Sequence, residues 1–277
     1  MVSKISGTGY FSQVDTIYVG GPGGSTTPTL TQLEQYSAVL VFSDYSFSDP
    51  TTLGNNLASY VNGGGGVVVC FPVFDSVNFG LGGSFVSGYL PFTIVDLYYD
   101  GTPLSLVSDQ PLHPILAGVN SFSGGTDSFY SQVAITSGSS LVAHWNNGYP
   151  LVATKGHVVG LNFYPPSSDA EVGFWISSTD GAKLMANSLA WAGNVSVAPP
   201  FPPQVQTVSM TGGNFQFSWN TVNTYPPVGY QVQYTTNLAP ANWINLGGVL
   251  TGSGPTISTT DTNPTGQQRY YRVLLVQ

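Results

Sequence analysis

The stretch YVNGGGGVVVCFPVFD, Tyr60–Asp75, decides the fold. It reads as the end of a helix, a glycine break, a buried strand from Val67 to Cys70 and a sharp exit at Phe71 and Pro72. A short all-apolar run bounded by turn residues fits a parallel strand covered on both faces. Open α/β sheets bind ligands beyond the carboxyl ends of such strands, so a site is expected at Cys70–Asp75.

Upstream, the pattern repeats. Met1–Tyr10 reads as the tail of a helix that Gly7 and Gly9 end, and VDTIYV (Val14–Val19) as a short strand. Thr29 suits the cap of a short helix, LTQLEQY, and AVLVF (Ala38–Phe42) reads as a second buried strand. Ser48 or Asp49 caps the next helix, with Pro50 in its first turn and Leu53, Leu57, Tyr60 and Val61 at helical spacing. Strand, helix, strand, helix, strand implies parallel pairing through crossover helices.

Downstream, residues 76–110 are irregular and aromatic, with a strand expected at Phe92–Tyr98. Leu141–His144 and Tyr149–Ala153 form an expected antiparallel pair about Asn146–Gly148. VVGLNF (Val158–Phe163) is a further strand, and Thr179–Trp191 the last long helix. The proline-rich run at 198–203 reads as a linker between a domain over 1–197 and a second over 204–277. Five half-buried strands are expected in the second: Phe215–Trp219, Tyr230–Tyr234, Trp243–Leu246, Thr256–Thr260 and Tyr270–Val276. Their spacing suits an all-β sandwich without helix, with Phe217, Trp219, Val232, Tyr234 and Tyr271 in its core.

Composition narrows the function classes. Only 6% of residues are charged, against a usual ~25%, so neutral polar groups must cover the surface, as on many exported proteins. The net charge is −8, and residues 1–198 carry Lys4, Lys155 and Lys183 against twelve acids, a net charge of −9. Nucleic-acid binding needs clustered cations, and none occur. Cys70 is the single cysteine, which excludes an internal disulfide and a CxxC-type zinc site. No apolar run reaches the ~18 residues of a membrane span, and Met1–Phe11 has glycines where a signal peptide would be apolar.

Three segments of the first domain resemble the class I glutamine amidotransferase-like superfamily, especially its trehalose-utilisation (ThuA-like) branch. They are Glu34–Val69, the HPILAGV run from His113, and GLNFYPP from Gly160, which is similar to the GVQFHPE run carrying the amidotransferase histidine and glutamate. The closing helix KLMANSLAW fits as well, and the resemblance spans roughly residues 10–193. It implies a flavodoxin-like parallel sheet. Its chemistry does not carry over. The nucleophilic cysteine position falls on Phe71, the histidine position on Tyr164 and the glutamate position on Pro166. Cys70 precedes the nucleophile position, so its side chain should point the other way, as a buried apolar thiol. Glutamine hydrolysis is not expected. The resemblance also implies a first, central strand, of which Met1–Gly9 supplies only the end of the following helix. Val14–Val19 is then expected to move in beside Ala38–Phe42, or another segment or chain to fill the slot; an exposed edge there would favour weak self-association. Residues 203–277 resemble fibronectin type III-like modules of secreted bacterial proteins, through FQFSW, GYQVQYTTNL, NWINL and RYYRVLLV. Such modules are spacers or adhesion and carbohydrate-associated units.

The candidate site residues are Ser43 and Asp44 after AVLVF, Phe71 and Asp75 after the central strand, and Asn162 and Tyr164 after VVGLNF. Convergence on one cleft is the functional reading; capping of loops and turns is the structural one. His113, His144 and His157 match no zinc spacing, and His113 before Pro114 suits a loop. Asp44, Asp75, Tyr164 and His113 are the candidates should the site be catalytic. Asp169 and Glu171 form a carboxylate pair whose geometry the sequence leaves open. The tyrosines at 89, 98, 99, 130 and 149 with Trp145 and Trp175 suit either core packing or an aromatic cleft that stacks on sugar rings. The expectation is an exported two-domain binding or scaffolding protein, at the cell surface or outside the cell. Its partner would be a polysaccharide or another surface component. No cofactor is expected, with a divalent cation such as calcium left open by the surplus acids. The alternative is a hydrolase of an ester, lactone or glycosidic bond.

Overall fold

The computed structural model describes the whole chain except residues 22, 23, 25, 97–100, 196–202, 222–228, 252–255, 263, 265–267 and 277. The expected linker at 198–203, Tyr98 and Tyr99 therefore lie wholly or mostly outside the described residues. The chain divides into two compact units, Met1–Val195 and Ser196–Gln277. Among the described residues no helix is long and apolar enough to cross a membrane.

The first unit is built on a six-stranded mixed sheet. Its strands are β1 (Ala38–Val41), β2 (Gly66–Cys70), β3 (Leu106–Ser108), β4 (Ser140–Trp145), β5 (Pro150–Lys155) and β6 (Val158–Leu161), in the order β1-β2-β6-β5-β4-β3. Only β1, β2 and β6 run parallel; β5, β4 and β3 continue antiparallel, so half the sheet departs from an all-parallel one. The reason is local. Strands β4 and β5 are joined through a tight turn at Asn146–Gly148, where Gly148 takes φ 93°, and a tight turn permits only antiparallel pairing.

Among the described residues, five helices flank this sheet: α1 (Val2–Ser6), α2 (Leu30–Leu33), α3 (Pro50–Asn62), α4 (Gly83–Gly88) and α5 (Gly181–Ala192). Thr29 caps α2 in a full capping box with Gln32, and the Asp49 side chain accepts from the Thr52 N–H at the start of α3. Every residue of β2 is buried, as its unbroken apolar run requires. Val68 and Cys70 join Leu184 and Met185 of α5 in one core, while Val67, Val69 and Phe71 join Leu53 and Leu57 of α3 in the other. The glycine break serves both layers. Gly64 takes φ 95°, and a Cβ on Gly66 would stand 2.3 Å from the Ala192 carbonyl carbon, against the end of α5.

Two expectations fail here. Val14–Val19 forms no strand and pairs with nothing in the sheet; β1 itself is the edge. Asp15, Thr16, Ile17 and Tyr18 are exposed, so this β-branched stretch lacks the same-face packing that turns propensity into a strand. Phe92–Tyr98 supplies only isolated bridges, Phe92 to Ile135 and Asp75 to Val95, with its last two residues outside the described ones.

The second unit holds, among the described residues, two three-stranded antiparallel sheets. One is ordered β11 (Thr256–Asp261), β8 (Asn214–Asn220), β7 (Val205–Thr211); the other β10 (Ile244–Asn245), β9 (Gly229–Thr235), β12 (Tyr270–Val276). Phe217, Trp219, Tyr230 and Val232 form its core, with Tyr271 packed against them. Tyr234 instead lies partly exposed under the Arg269 guanidinium, 4.3 Å from its ring centre. Strand β7 is exposed along its length, although Val208 and Met210 stand opposite Phe217 and Phe215.

Candidate functional site

The carboxyl ends of β1, β2 and β6 bring three short exits together: Phe42–Tyr45, Phe71–Pro72 and Asn162–Pro165. The ring of Tyr164 is the centre of an aromatic shelf. It meets Phe42 at 5.8 Å, Phe129 at 6.2 Å and Phe174 at 4.9 Å between ring centres, and Phe71 reaches the same group through Phe129 at 6.3 Å. Phe129 and Phe174 meet edge to face at 5.3 Å. Tilted and edge-to-face contacts of this kind fix ring positions beyond what apolar burial alone does.

Acidic side chains act on the Tyr164 phenol. Burial raises the Tyr164 phenol well above its ordinary value, and the nearby Asp44 carboxylate raises it further, with smaller contributions from Glu171 and Tyr45. The phenol therefore stays protonated, with the Asp44 carboxylate as its hydrogen-bond partner. Tyr164 is half-buried, while Asp44, Tyr45 and Glu171 are exposed. The rings stand at 52–79° to one another, with the phenol and the exposed Asp44 and Glu171 beside them.

The other sequence candidates do not join it. Ser43 is buried and its hydroxyl donates to the Phe79 carbonyl at 2.7 Å. The Asp75 carboxylate, also buried, accepts from the Asn78 and Phe79 N–H groups at 3.0 and 3.1 Å. Both side chains hold the loop after β2. Asn162 is fully buried and faces Ser131 and Pro150. Asp169 and Glu171 separate: Asp169 pairs with Lys4 at 2.6 Å, while Glu171 lies toward Tyr164. His144 pairs with Asp109 at 2.7 Å, and the His157 ring contacts the Ala192 carbonyl at 3.1 Å. Among the described residues no three His, Cys, Asp or Glu side chains come together as metal ligands. Sequence reading marks Phe42 only as the end of a strand, and it does not single out the shelf residues Phe129 and Phe174. Both sit in irregular segments without periodicity, so nothing local marks them.

No family profile matches this sequence. No curated protein matches it either. Solved structures similar to the chain include two proteins. One is a protein of Bacteroides uniformis described as ThuA-like, 13% identical, covering 59% of this chain and 72% of that one with a TM-score of 0.42. The other, from Thermoplasma acidophilum and described as part of a GMP synthase, is 10% identical, covering 61% and 78% with a TM-score of 0.38.

Cys70 sits in the α5-side core and Phe71 in the α3-side core, so the thiol points away from the shelf. Burial pushes that thiol well above its ordinary value. Iodoacetamide at neutral pH should leave Cys70 unmodified in the folded protein and alkylate it readily in guanidinium. Rapid labelling of the folded protein would contradict a closed core at this position.

His113 caps the 3-10 turn Pro114–Leu116, its Nδ1 accepting from the Ile115 N–H at 3.2 Å, and its ring lies 5.6 Å from Trp191. Burial lowers it from 6.5 to about 4. The folded state thus prefers neutral imidazole. Its contribution is complete above pH ~6.5 and is lost as pH falls toward 4, because the unfolded chain takes up the proton first. With partial exposure discounted, about 1–2 kcal/mol should disappear over that range. His113→Asn keeps an acceptor for the Ile115 N–H and should lose less stability over the same interval, measured by urea unfolding at pH 7 and pH 4.5. Equal losses in both proteins would remove His113 as the cause.

Proposed function

We propose that the first unit is a binding domain that has lost amidotransferase chemistry, and that its ligand is a glycan met outside the cell. The observation that carries this reading is the Tyr164 shelf, with Phe42, Phe129 and Phe174 around a protonated phenol and Asp44 beside it. Aromatic faces stack on the apolar faces of sugar rings, and a donor next to a carboxylate matches the alternating demands of hydroxyl groups. Three further facts favour binding over acyl transfer. The nucleophile position holds Phe71, the histidine position Tyr164, and the one thiol is directed into the core. The sparsely charged composition and the fibronectin-like sequence of the second unit fit an exported protein in which that unit is a spacer or adhesion element.

The test is affinity electrophoresis through gels loaded with a panel of soluble polysaccharides, run beside ester, lactone and glycoside hydrolysis assays with and without EDTA. Retardation by one polysaccharide class with no turnover is expected. Turnover that disappears in Asp44→Asn would replace this reading with a hydrolase working at the same shelf.

A further inference from the structure

The outer face of one sheet in the second unit carries a fixed chain of polar side chains. Gln233 of β9 stands in register between Arg272 of β12 and Asn245 of β10. Val232 and Val273, next to them in sequence, belong to the core, so by strand alternation these three side chains point away from it. The Arg272 Nε–H donates to the Gln233 Oε1 at 2.9 Å, and the Gln233 Nε2 donates to the Asn245 Oδ1 at 2.8 Å. The Arg272 guanidinium also lies over the half-buried Trp243 ring, 4.2 Å from its centre. Arg272 and Asn245 are exposed.

The order of this chain fixes what it shows to solvent. A guanidinium only donates, so Gln233 must turn its oxygen to Arg272 and its nitrogen to Asn245. Asn245 must then turn its oxygen to Gln233, which leaves its NH2 group free. Both ends are donors: Nη1 and Nη2 of Arg272 at one, Nδ2 of Asn245 at the other. Among the described residues neither end finds an acceptor.

Charge points the same way. Residues 196–277 contain three charged side chains, Asp261, Arg269 and Arg272. Asp261 is taken by Arg269 and by the Tyr271 hydroxyl. No acidic side chain of this unit is left for Arg272. With its Nε engaged and one face on Trp243, the guanidinium is held in place and keeps the Nη edge open, an edge that forms paired bonds with a carboxylate. One cation flanked by a neutral donor matches a guest with one carboxylate among hydroxyl and ring oxygens. An acidic peptide would bring backbone N–H donors as well, and the two amide oxygens of the chain are already engaged.

We propose that this face binds a uronic-acid residue of an acidic polysaccharide, with its carboxylate on the Arg272 fork and a hydroxyl or ring oxygen on the Asn245 NH2 group. The site lies in the second unit and does not depend on the Tyr164 shelf.

The test passes the full chain over sensor surfaces carrying polygalacturonate, alginate or hyaluronate, each beside its methyl ester. Saturable binding to at least one of the three acids is expected, with at least a tenfold loss on esterification. Arg272→Gln should weaken it at least tenfold. Arg272→Lys, which keeps the charge and loses the fork, should weaken it several-fold, as should Asn245→Asp, which puts a carboxylate at the donor end. The proposal is overturned if none of the three acids binds, if the ester binds equally well, or if Arg272→Gln or Asn245→Asp binds as tightly as the wild type.

Discussion

Replacing Asn162 with alanine should cost the first unit about 3–5 kcal/mol, with little direct effect on ligand contacts. The side chain is fully buried. Its Oδ1 accepts from the Ser131 N–H at 2.8 Å, and its Nδ2 donates to the carbonyls of Ser131 and Pro150, both at 2.8 Å. Alanine strands one donor and two acceptors in a buried site, and each unpaired buried group costs ~1–3 kcal/mol. The Ser131 hydroxyl beside it already lacks a partner in the structure. Asn162→Asp should be no better, since it turns a carboxylate oxygen toward two carbonyls. Urea unfolding measures both. If Asn162 were a ligand-binding residue on an open loop, stability would move by no more than about 0.5 kcal/mol.

Asp261→Ala should be the most damaging single change in the second unit. Asp261 and Arg269 are 6% and 14% exposed at their side chains, and the guanidinium donates to the carboxylate at 2.5 Å. The Tyr271 hydroxyl donates to the same oxygen at 2.8 Å. Burial, followed by Asp261, pushes that phenol up to about 12, so it remains a donor across the working range. Removing the carboxylate leaves a buried guanidinium with its main counter-charge gone, a change that costs about 3–5 kcal/mol. A unit of this size has only ~4–12 kcal/mol in total, at 0.05–0.15 kcal/mol per residue. Hydrogen exchange followed by mass spectrometry should show peptides from β9 and β12 exchanging roughly 10²–10³ times faster, and peptides from β2 unchanged. Unaltered protection in β9 and β12 would mean that the pair is a surface ornament.

The parts of this structure legible in the sequence were those with a local cause. The capping box at Thr29 and the Asp49–Pro50 helix start needed only neighbouring residues. The unbroken apolar run of β2 announced its own burial, and the strict alternation of Cys70 and Phe71 between the two cores followed from strand geometry. What failed depended on distant partners. VDTIYV has the composition of a strand, but its middle residues are exposed and find no same-face packing. Strand β7 escaped notice because its apolar residues lie on a face left uncovered, so burial gives it no signature. At the site, Asp44 and Tyr164 were nameable because they follow strands. Ser43, Asp75 and Asn162 follow strands too, yet they satisfy backbone groups around them. The side-chain identities are the same in either role, and the partners Phe79 and Ser131 come from segments the local sequence does not mark.

The Tyr164 shelf is the central claim, and calorimetric titration tests it most directly. The polysaccharide that retards the protein most would be trimmed to a short oligosaccharide and titrated into the wild type, Tyr164→Ala, Phe174→Ala and a distant control, His157→Ala. The account predicts saturable binding to the wild type and the control. Affinity should fall at least tenfold in Tyr164→Ala and Phe174→Ala, while both remain folded. Undiminished affinity in both shelf variants would contradict it and place the glycan elsewhere on the molecule.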